Sequence, residues 1–311
     1  MSRTLYAKRA FAAVITTLTL VGSSAGIALA AGPVGTTVSP PVYDLAGKGG
    51  EVIVKKMTVH NDSSAPQSYT SVVNTIAPAN EEGGLAFGPA STADLSGWIT
   101  VAPAKLDLAP NESADFNITI KVPAAAAAGG HYATVFAKSE SSTQVASGAS
   151  VTSMVGTSIL LKVSGSTVES ADVVEFSTSR ARLTPGEPID FSVRMRNTGN
   201  VHVRPQGTIQ IYRDSVKMDE VAINSDGLNV LPSSIRKFVG SSNKTLPSGS
   251  YTAKLALTYG AGQAIAVPAI SFVVVGESSM ATMVAIILGI FVLILIAALM
   301  VNRRKPMMGK K

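Results

Sequence analysis

The chain of 311 residues contains no cysteine. This absence excludes disulfide bonds, zinc sites built from thiolates and catalysis by a thiol nucleophile. Aromatic residues are also scarce, at 5% of the chain, and Trp98 is the single tryptophan. Sugar-binding surfaces usually expose several aromatic rings, so a lone tryptophan is more typical of a core residue. Domains of this chain must therefore be held together by packing alone.

Motifs for catalysis and for metal binding are missing as well. The three histidines, His60, His131 and His202, are far apart, and no HExxH pair or GxSxG elbow is present. Acidic residues such as Asp214 and Asp219 lack the spacing of an EF-hand calcium loop. The sequence predicts a protein that is not an enzyme, with no catalytic residue, cofactor or metal site.

The first 30 residues have the order of a secretory signal peptide. Basic residues at Arg3, Lys8 and Arg9 precede an apolar run over 10–21 and an Ala-Leu-Ala sequence at 28–30. We expect cleavage after Ala30 and export of the remaining chain.

Residues 280–301 form an uncharged apolar run of 22 positions. A helix rises about 1.5 Å per residue, so this run would span roughly 33 Å, enough for a hydrocarbon core of about 30 Å. The tail 302–311 has five basic residues and no acidic one, which predicts a cytoplasmic end. We therefore expect a single-pass protein of a bacterial cell membrane, with most of the chain outside.

The basic balance of the whole chain comes from its two ends. Of 26 Lys and Arg, three lie in the predicted signal peptide and five in the tail, which leaves 18 against 20 acidic residues and a net charge of −2 between them. The exported part has no basic stripe interleaved with aromatic residues, so nucleic acid is not an expected partner.

Between the two ends, apolar and polar residues alternate over many short runs. The clearest run covers 116–122, and others place apolar residues at every second position in 159–163, 191–195 and 251–257. A period of two predicts strands with one buried face. Glycine, proline, asparagine and serine separate the runs, so we expect an all-β fold of β-sandwiches.

A faint internal repeat predicts two copies of one sandwich. Gly50-Glu51 and Gly186-Glu187 each begin a strand that ends eleven residues later, at Asn61 and Asn197. We expect immunoglobulin-like sandwiches over 31–164 and 165–276. The five alanines at 124–128 follow Pro123 and precede two glycines, and a helix this short is not stable, so we expect a crossover loop there.

Seven short segments of the first region carry a recognisable pattern, at 38–45, 50–51, 59–61, 98–99, 108–113, 116–123 and 129–133. With these segments the region resembles the first domain of the WxL-interacting proteins of bacterial cell surfaces. The resemblance covers about 33–164; farther along, only a generic immunoglobulin-like domain is recognisable. It implies a tandem of immunoglobulin-like domains, a C-terminal membrane helix and a basic tail, with the first domain associated with peptidoglycan and the second with a host or partner ligand, including WxL-type surface proteins.

The longest stretch without a periodic pattern is 74–97. Long loops in compact domains are often functional, so we expect this segment to contact a partner. The candidate contact residues are Glu81, Glu82, Phe87, Asp94 and Trp98.

Three functions agree with these features. The main expectation is a membrane-anchored surface protein that binds or scaffolds cell-wall polymer or surface proteins. The first alternative is an extracytoplasmic chaperone that pairs a strand edge with unfolded secreted subunits, because edge pairing uses backbone hydrogen bonds and needs no special side chains. The second alternative is an accessory module of a cell-wall enzyme.

Overall fold

The computed structural model describes residues 35–140, 143–144, 150–276 and 280–303. The predicted signal peptide at 1–30 and residues 304–311 of the predicted tail lie outside the described residues.

The chain is all-β over its described part apart from two helices, and its strands form two β-sandwiches. The first sandwich pairs a four-stranded sheet, in the order β1-β3-β8-β6, with a six-stranded sheet, in the order β2-β12-β9-β4-β5, where β7 also pairs with β4. A small β10-β11 ladder extends the hairpin between β9 and β12. The strands are β1 (Thr36–Ser39), β2 (Val42–Gly47), β3 (Val52–Asn61), β4 (Gln67–Pro78), β5 (Leu85–Pro89), β6 (Ile99–Ala102), β7 (Lys105–Leu108), β8 (Ser113–Lys121), β9 (Gly129–Ser139), β10 (Thr143–Gln144), β11 (Ser150–Val151) and β12 (Met154–Val163).

The second sandwich pairs a three-stranded sheet, β13-β15-β18, with a six-stranded sheet, β14-β21-β19-β16-β17, where β20 also pairs with β19. Its strands are β13 (Ala171–Thr178), β14 (Arg182–Leu183), β15 (Ile189–Asn197), β16 (Gln206–Arg213), β17 (Val216–Ile223), β18 (Ile235–Ser242), β19 (Gly249–Tyr259), β20 (Gln263–Ile265) and β21 (Ile270–Val274).

The two cores confirm the prediction that alternating runs form strands with one buried face. Phe116, Ile118 and Ile120 are fully buried on β8, while Phe191 and Val193 are buried on β15. Each core lies between the two sheets of its own sandwich, because side chains at every second position of a strand point to the same face.

Two edge strands of the first sandwich pass from one sheet to the other. β1 pairs with β3, and after the cis Ser39–Pro40 bond the chain continues as β2, which pairs with β12. In the same way β6 pairs with β8, and after the cis Ala102–Pro103 bond β7 pairs with β4. Each sheet thus shares a segment of chain with its partner at both sides of the sandwich.

The internal repeat extends to the hydrogen bonds of two buried asparagines. Asn61 and Asn197 are fully buried at the ends of β3 and β15. Each donates through its side-chain amide to backbone carbonyls of the following turn and of the segment that precedes β8 or β18. The turns before these strands also match, since Gly50 and Gly186 have φ of +80° and +90°, which glycine adopts without strain.

The alanine run is not helical, as expected. Residues 124–128 form a turn and irregular backbone between β8 and β9. The expected crossover loop is therefore confirmed.

Two helices are present among the described residues. α1 (Leu95–Trp98) is a single turn, and α2 (Met280–Arg303) covers the apolar run near the C-terminus. Among the residues that the structure describes, no helix is long and apolar enough to cross a membrane.

Candidate functional site

The segment 74–97 is not the irregular loop that the sequence suggested. It contains the end of β4, the whole of β5 and all but the last residue of α1, and β4 and β5 form an antiparallel hairpin. The expectation of a long loop is wrong because β5 is only five residues long and includes a glycine and a proline, which hide the alternation.

Two of the five candidate contact residues have roles within the fold. Asp94 caps α1, where its carboxylate accepts hydrogen bonds from the backbone N–H and the hydroxyl of Ser96. Trp98 is 8% exposed and packs in the core, with its ring centroid 4.6 Å from that of His131.

Glu81, at the tip of the β4–β5 hairpin, joins the two sandwiches. Its carboxylate accepts from Nε and Nη2 of Arg194 on β15 at 2.7 and 2.6 Å, and its backbone oxygen accepts from the N–H of Lys237 on β18 at 2.7 Å. Arg194 also donates to Glu175 on β13 at 3.0 Å. Hydrogen bonding to Arg194 lowers the pKa of Glu81. Glu81 therefore contacts the protein's own second sandwich.

The remaining two candidates are exposed. Phe87 on β5 is 51% exposed, and its ring packs edge to face against Phe136 at 5.0 Å. Glu82 is exposed beside Glu81 at the hairpin tip. Contact of this hairpin with an external partner stays a prediction.

A second contact between the sandwiches is built around His202, which the sequence did not single out as functional. Its Nε2 lies 3.0 Å from Oδ1 of Asp44 on β2, and its Nδ1 lies 3.4 Å from the hydroxyl of Tyr132 on β9. Arg204 donates to the other oxygen of Asp44 at 2.8 Å. The His202 side chain is only 7% exposed.

Apolar residues complete the contact. Ile76, Leu160 and Tyr132 lie on the outer face of the six-stranded sheet, and Leu231 of the second sandwich packs against them. The amide N–H of Gly130 donates to the backbone oxygen of Asn200 at 2.8 Å. This interface holds the outer face of one sheet against loops of the other sandwich.

Next to this interface lies a cavity of about 590 Å³. The first sandwich contributes apolar residues, among them Val42 and Leu85, and the second contributes Arg204 and Arg236. Arg236 donates to the backbone oxygen of Asn229 at 2.8 Å, and burial lowers the pKa of its guanidinium. The volume is within the range of about 300–1,000 Å³ typical of ligand sites.

The first half of β12 is an unpaired sheet edge. The N–H of Ser158 donates to Pro41 at 2.9 Å, so even-numbered residues of β12 direct their backbone groups toward β2. Pairing with β2 begins at the Ser158–Val42 pair, and the described strands leave Met154 and Gly156 without a partner on this side. Unpaired backbone groups of this kind are the usual template for an added strand.

Several other described edges are short or interrupted. β1 and β6 have four residues each and β14 has two. β13 contains a bulge between Val173 and Glu175, and the edge of β18 accepts the hairpin tip at Lys237. β5 is a free edge but is short and ends in a proline.

The described residues contain no group of three or more His, Asp or Glu side chains that could hold a metal ion.

Comparison with models of known protein families finds no match, and comparison with curated protein sequences finds none. The resemblance to WxL-interacting proteins therefore stays a prediction.

Several solved structures with a similar chain path are chaperones or contain one. The class 5 fimbriae chaperone CfaA is 13% identical, with a TM-score of 0.39, over 78% of this chain and 99% of that one. The E. coli chaperone DraB is 14% identical, with a TM-score of 0.36, over 78% and 98%. The Salmonella enterica SafA pilin in complex with the SafB chaperone is 9% identical, with a TM-score of 0.37, over 78% of this chain and 97% of that one.

The main functional expectation, a membrane-anchored protein that binds or scaffolds cell-wall polymer or surface proteins, is contradicted, since the similar structures are described as chaperones and their complexes. The wall-polymer partner came from the family resemblance and not from the residues. The ring best suited to stack on a sugar, Trp98, is in the core.

Proposed function

We propose that this protein is an exported chaperone that pairs the free edge of β12 with an extended segment of a secreted surface subunit. The observation that carries the proposal is the unpaired backbone of Met154 and Gly156 beside a long β9–β12 hairpin. An added strand obtains its affinity from backbone hydrogen bonds, so this function needs no catalytic or metal-binding residue.

Side chains around this edge favour an apolar partner. Met154 on β12 and Val42 on β2 are each 44% exposed. Farther along β12, Ser158 and Leu160 line the cavity between the sandwiches. A strand added at residues 154–157 would run toward this cavity, which has room for apolar side chains of the partner.

The exported location is the second part of the proposal. It is supported by the signal-peptide pattern at 1–30.

The test uses a matched pair of substitutions at the edge. Met154→Pro removes the free N–H, whereas Met154→Ala removes only the side chain; proline is tolerated at the first residue of an edge strand. The probe is a pilin-type sandwich truncated by its last strand, and its aggregation is followed by light scattering. We expect the wild-type full chain to suppress aggregation, Met154→Ala to retain most of this effect and Met154→Pro to lose it.

Phe87→Pro blocks the edge of β5 instead and serves as the control. Equal suppression by the wild type and Met154→Pro, or loss with Phe87→Pro alone, would contradict pairing at β12.

A further inference from the structure

The contact at His202 places a titratable ring between the two sandwiches. The ring belongs to the second sandwich, and both of its hydrogen-bonding partners, Asp44 and Tyr132, belong to the first. Its ring centroid lies 5.8 Å from that of Tyr132, at 75° between the planes. A change in the charge of this ring acts directly on the interface.

The neutral ring satisfies both contacts. With its hydrogen on Nε2, the imidazole donates to Asp44, and Nδ1 accepts from the Tyr132 hydroxyl. Burial raises the pKa of Tyr132, so this hydroxyl keeps its proton at physiological pH. A second hydrogen on Nδ1 would oppose the hydroxyl donor and force it to rotate.

Charged groups surround the ring on each packed element. Among the described residues, Asp44 on β2 is the carboxylate that contacts the ring, and Asp44 also binds Arg204. Lys162 on β12 is paired with Glu169. Lys162 and Arg204 both oppose a positive charge on the ring, while Asp44 favours it.

Burial has a larger effect on the pKa of His202 than the neighbouring charges have. Removal of the ring from water lowers the pKa of His202 below its usual value of 6.5, and Asp44 offsets this effect only in part. The interface is therefore built for the neutral ring.

We propose that protonation of His202 separates the two sandwiches, so that the cavity between them opens as the surroundings become acidic. In the separated state the ring is exposed to water and regains an ordinary pKa.

The direction of the pH effect follows from the difference between the pKa of His202 in the docked and in the separated state. Above pH 6.5 the ring is neutral in both states, and the ratio of docked to separated protein is constant. As pH falls below 6.5, the separated state binds the proton first, so the ratio falls by up to about tenfold per pH unit until the docked pKa is reached. Glu81 does not act in this range, because Arg194 keeps its pKa below the ordinary 4.5.

Two backbone amides report directly on the interface. The N–H groups of Gly130 and Lys237 donate across it, to Asn200 and Glu81. Hydrogen exchange of these amides in the full chain, corrected for the intrinsic pH dependence of exchange, measures separation without any partner. We expect their protection to fall by up to about tenfold from pH 7.5 to pH 5.5, while amides of the cores stay protected.

Substitution of His202 provides a second test of the proposal. His202→Gln keeps a donor and an acceptor but does not titrate, so we expect equal protection at both pH values. His60→Gln, on the outer face of the other sheet, should behave as the wild type. The proposal is overturned if wild-type protection is the same at both pH values, if His202→Gln loses protection as the wild type does, or if the core amides lose protection in parallel. The result does not depend on strand pairing at β12, because no partner is present.

Discussion

Replacement of Asn197 by alanine should destabilise the second sandwich strongly. The side chain is fully buried and makes three hydrogen bonds. Its amide donates to the carbonyls of Val201 and Val230, both at 2.8 Å, and its oxygen accepts from the N–H of Gly199 at 2.9 Å.

The three backbone groups are affected unequally. Gly199 also donates to Ser170 at 3.1 Å, and the Val230 carbonyl also accepts from Val203 at 3.1 Å, so both keep a partner. The Val201 carbonyl depends on the Asn197 amide. Two bonds at about 0.5–1.5 kcal/mol each and one orphaned carbonyl at about 1–3 kcal/mol give an expected loss of about 2–6 kcal/mol.

The assay exploits the position of the only tryptophan. Trp98 lies in the core of the first sandwich, so its fluorescence follows that sandwich, whereas circular dichroism in the far ultraviolet follows both. With a urea m-value of about 2 kcal/mol/M, the Asn197→Ala transition seen by circular dichroism should move to lower urea by about 1–3 M. Asn61→Ala, in the equivalent position, should instead move the fluorescence transition.

Asn243→Ala is the control, because Asn243 is exposed. A change of less than about 0.5 kcal/mol in both Asn61→Ala and Asn197→Ala would refute the assigned role of the buried amides.

Two more predictions concern the interface and the second core. Arg194→Gln should raise the rate of hydrogen exchange of the Lys237 amide at pH 7.5 without changing either unfolding transition, because Arg194 holds Glu81 at the interface. Arg196→Gln on the same strand is the control, and an unchanged exchange rate in Arg194→Gln would show that Arg194 does not hold the interface together. Tyr251→Phe should destabilise the second sandwich by about 1 kcal/mol in urea unfolding, because the buried hydroxyl donates to the Pro247 carbonyl at 2.6 Å; an equal or higher stability would show that this hydrogen bond contributes nothing.

The sequence predicted the cores well because burial on one face of a strand imposes a strict period. The runs around Phe116, Phe191 and Tyr251 each alternate over the length of their strand, and all three side chains are buried. Asn61 and Asn197 were recognisable in the sequence as the ends of two equivalent strands. Their hydrogen bonds explain why the same residue recurs in both sandwiches.

The interface between the sandwiches was not predictable in this way. Arg194 occupies an outward position of an alternating strand, where a charged residue is ordinary. His202 lies outside the strands, and its partners are 158 and 70 residues away in the chain. Contacts between two folded units depend on how they dock, and no local period records that. The hairpin tip at Glu81 was found as a candidate for contact, but its observed partner is the same chain.

The parallel pairing of the second and last strands sets how each sandwich responds to stretching. β2 and β12 form six residue pairs, whereas β14 and β21 form two. Tension applied to the two ends of a sandwich shears such a ladder, loading all its hydrogen bonds at once. Under a pulling force, the second sandwich should therefore rupture before the first, leaving the β12 edge intact on the more resistant unit.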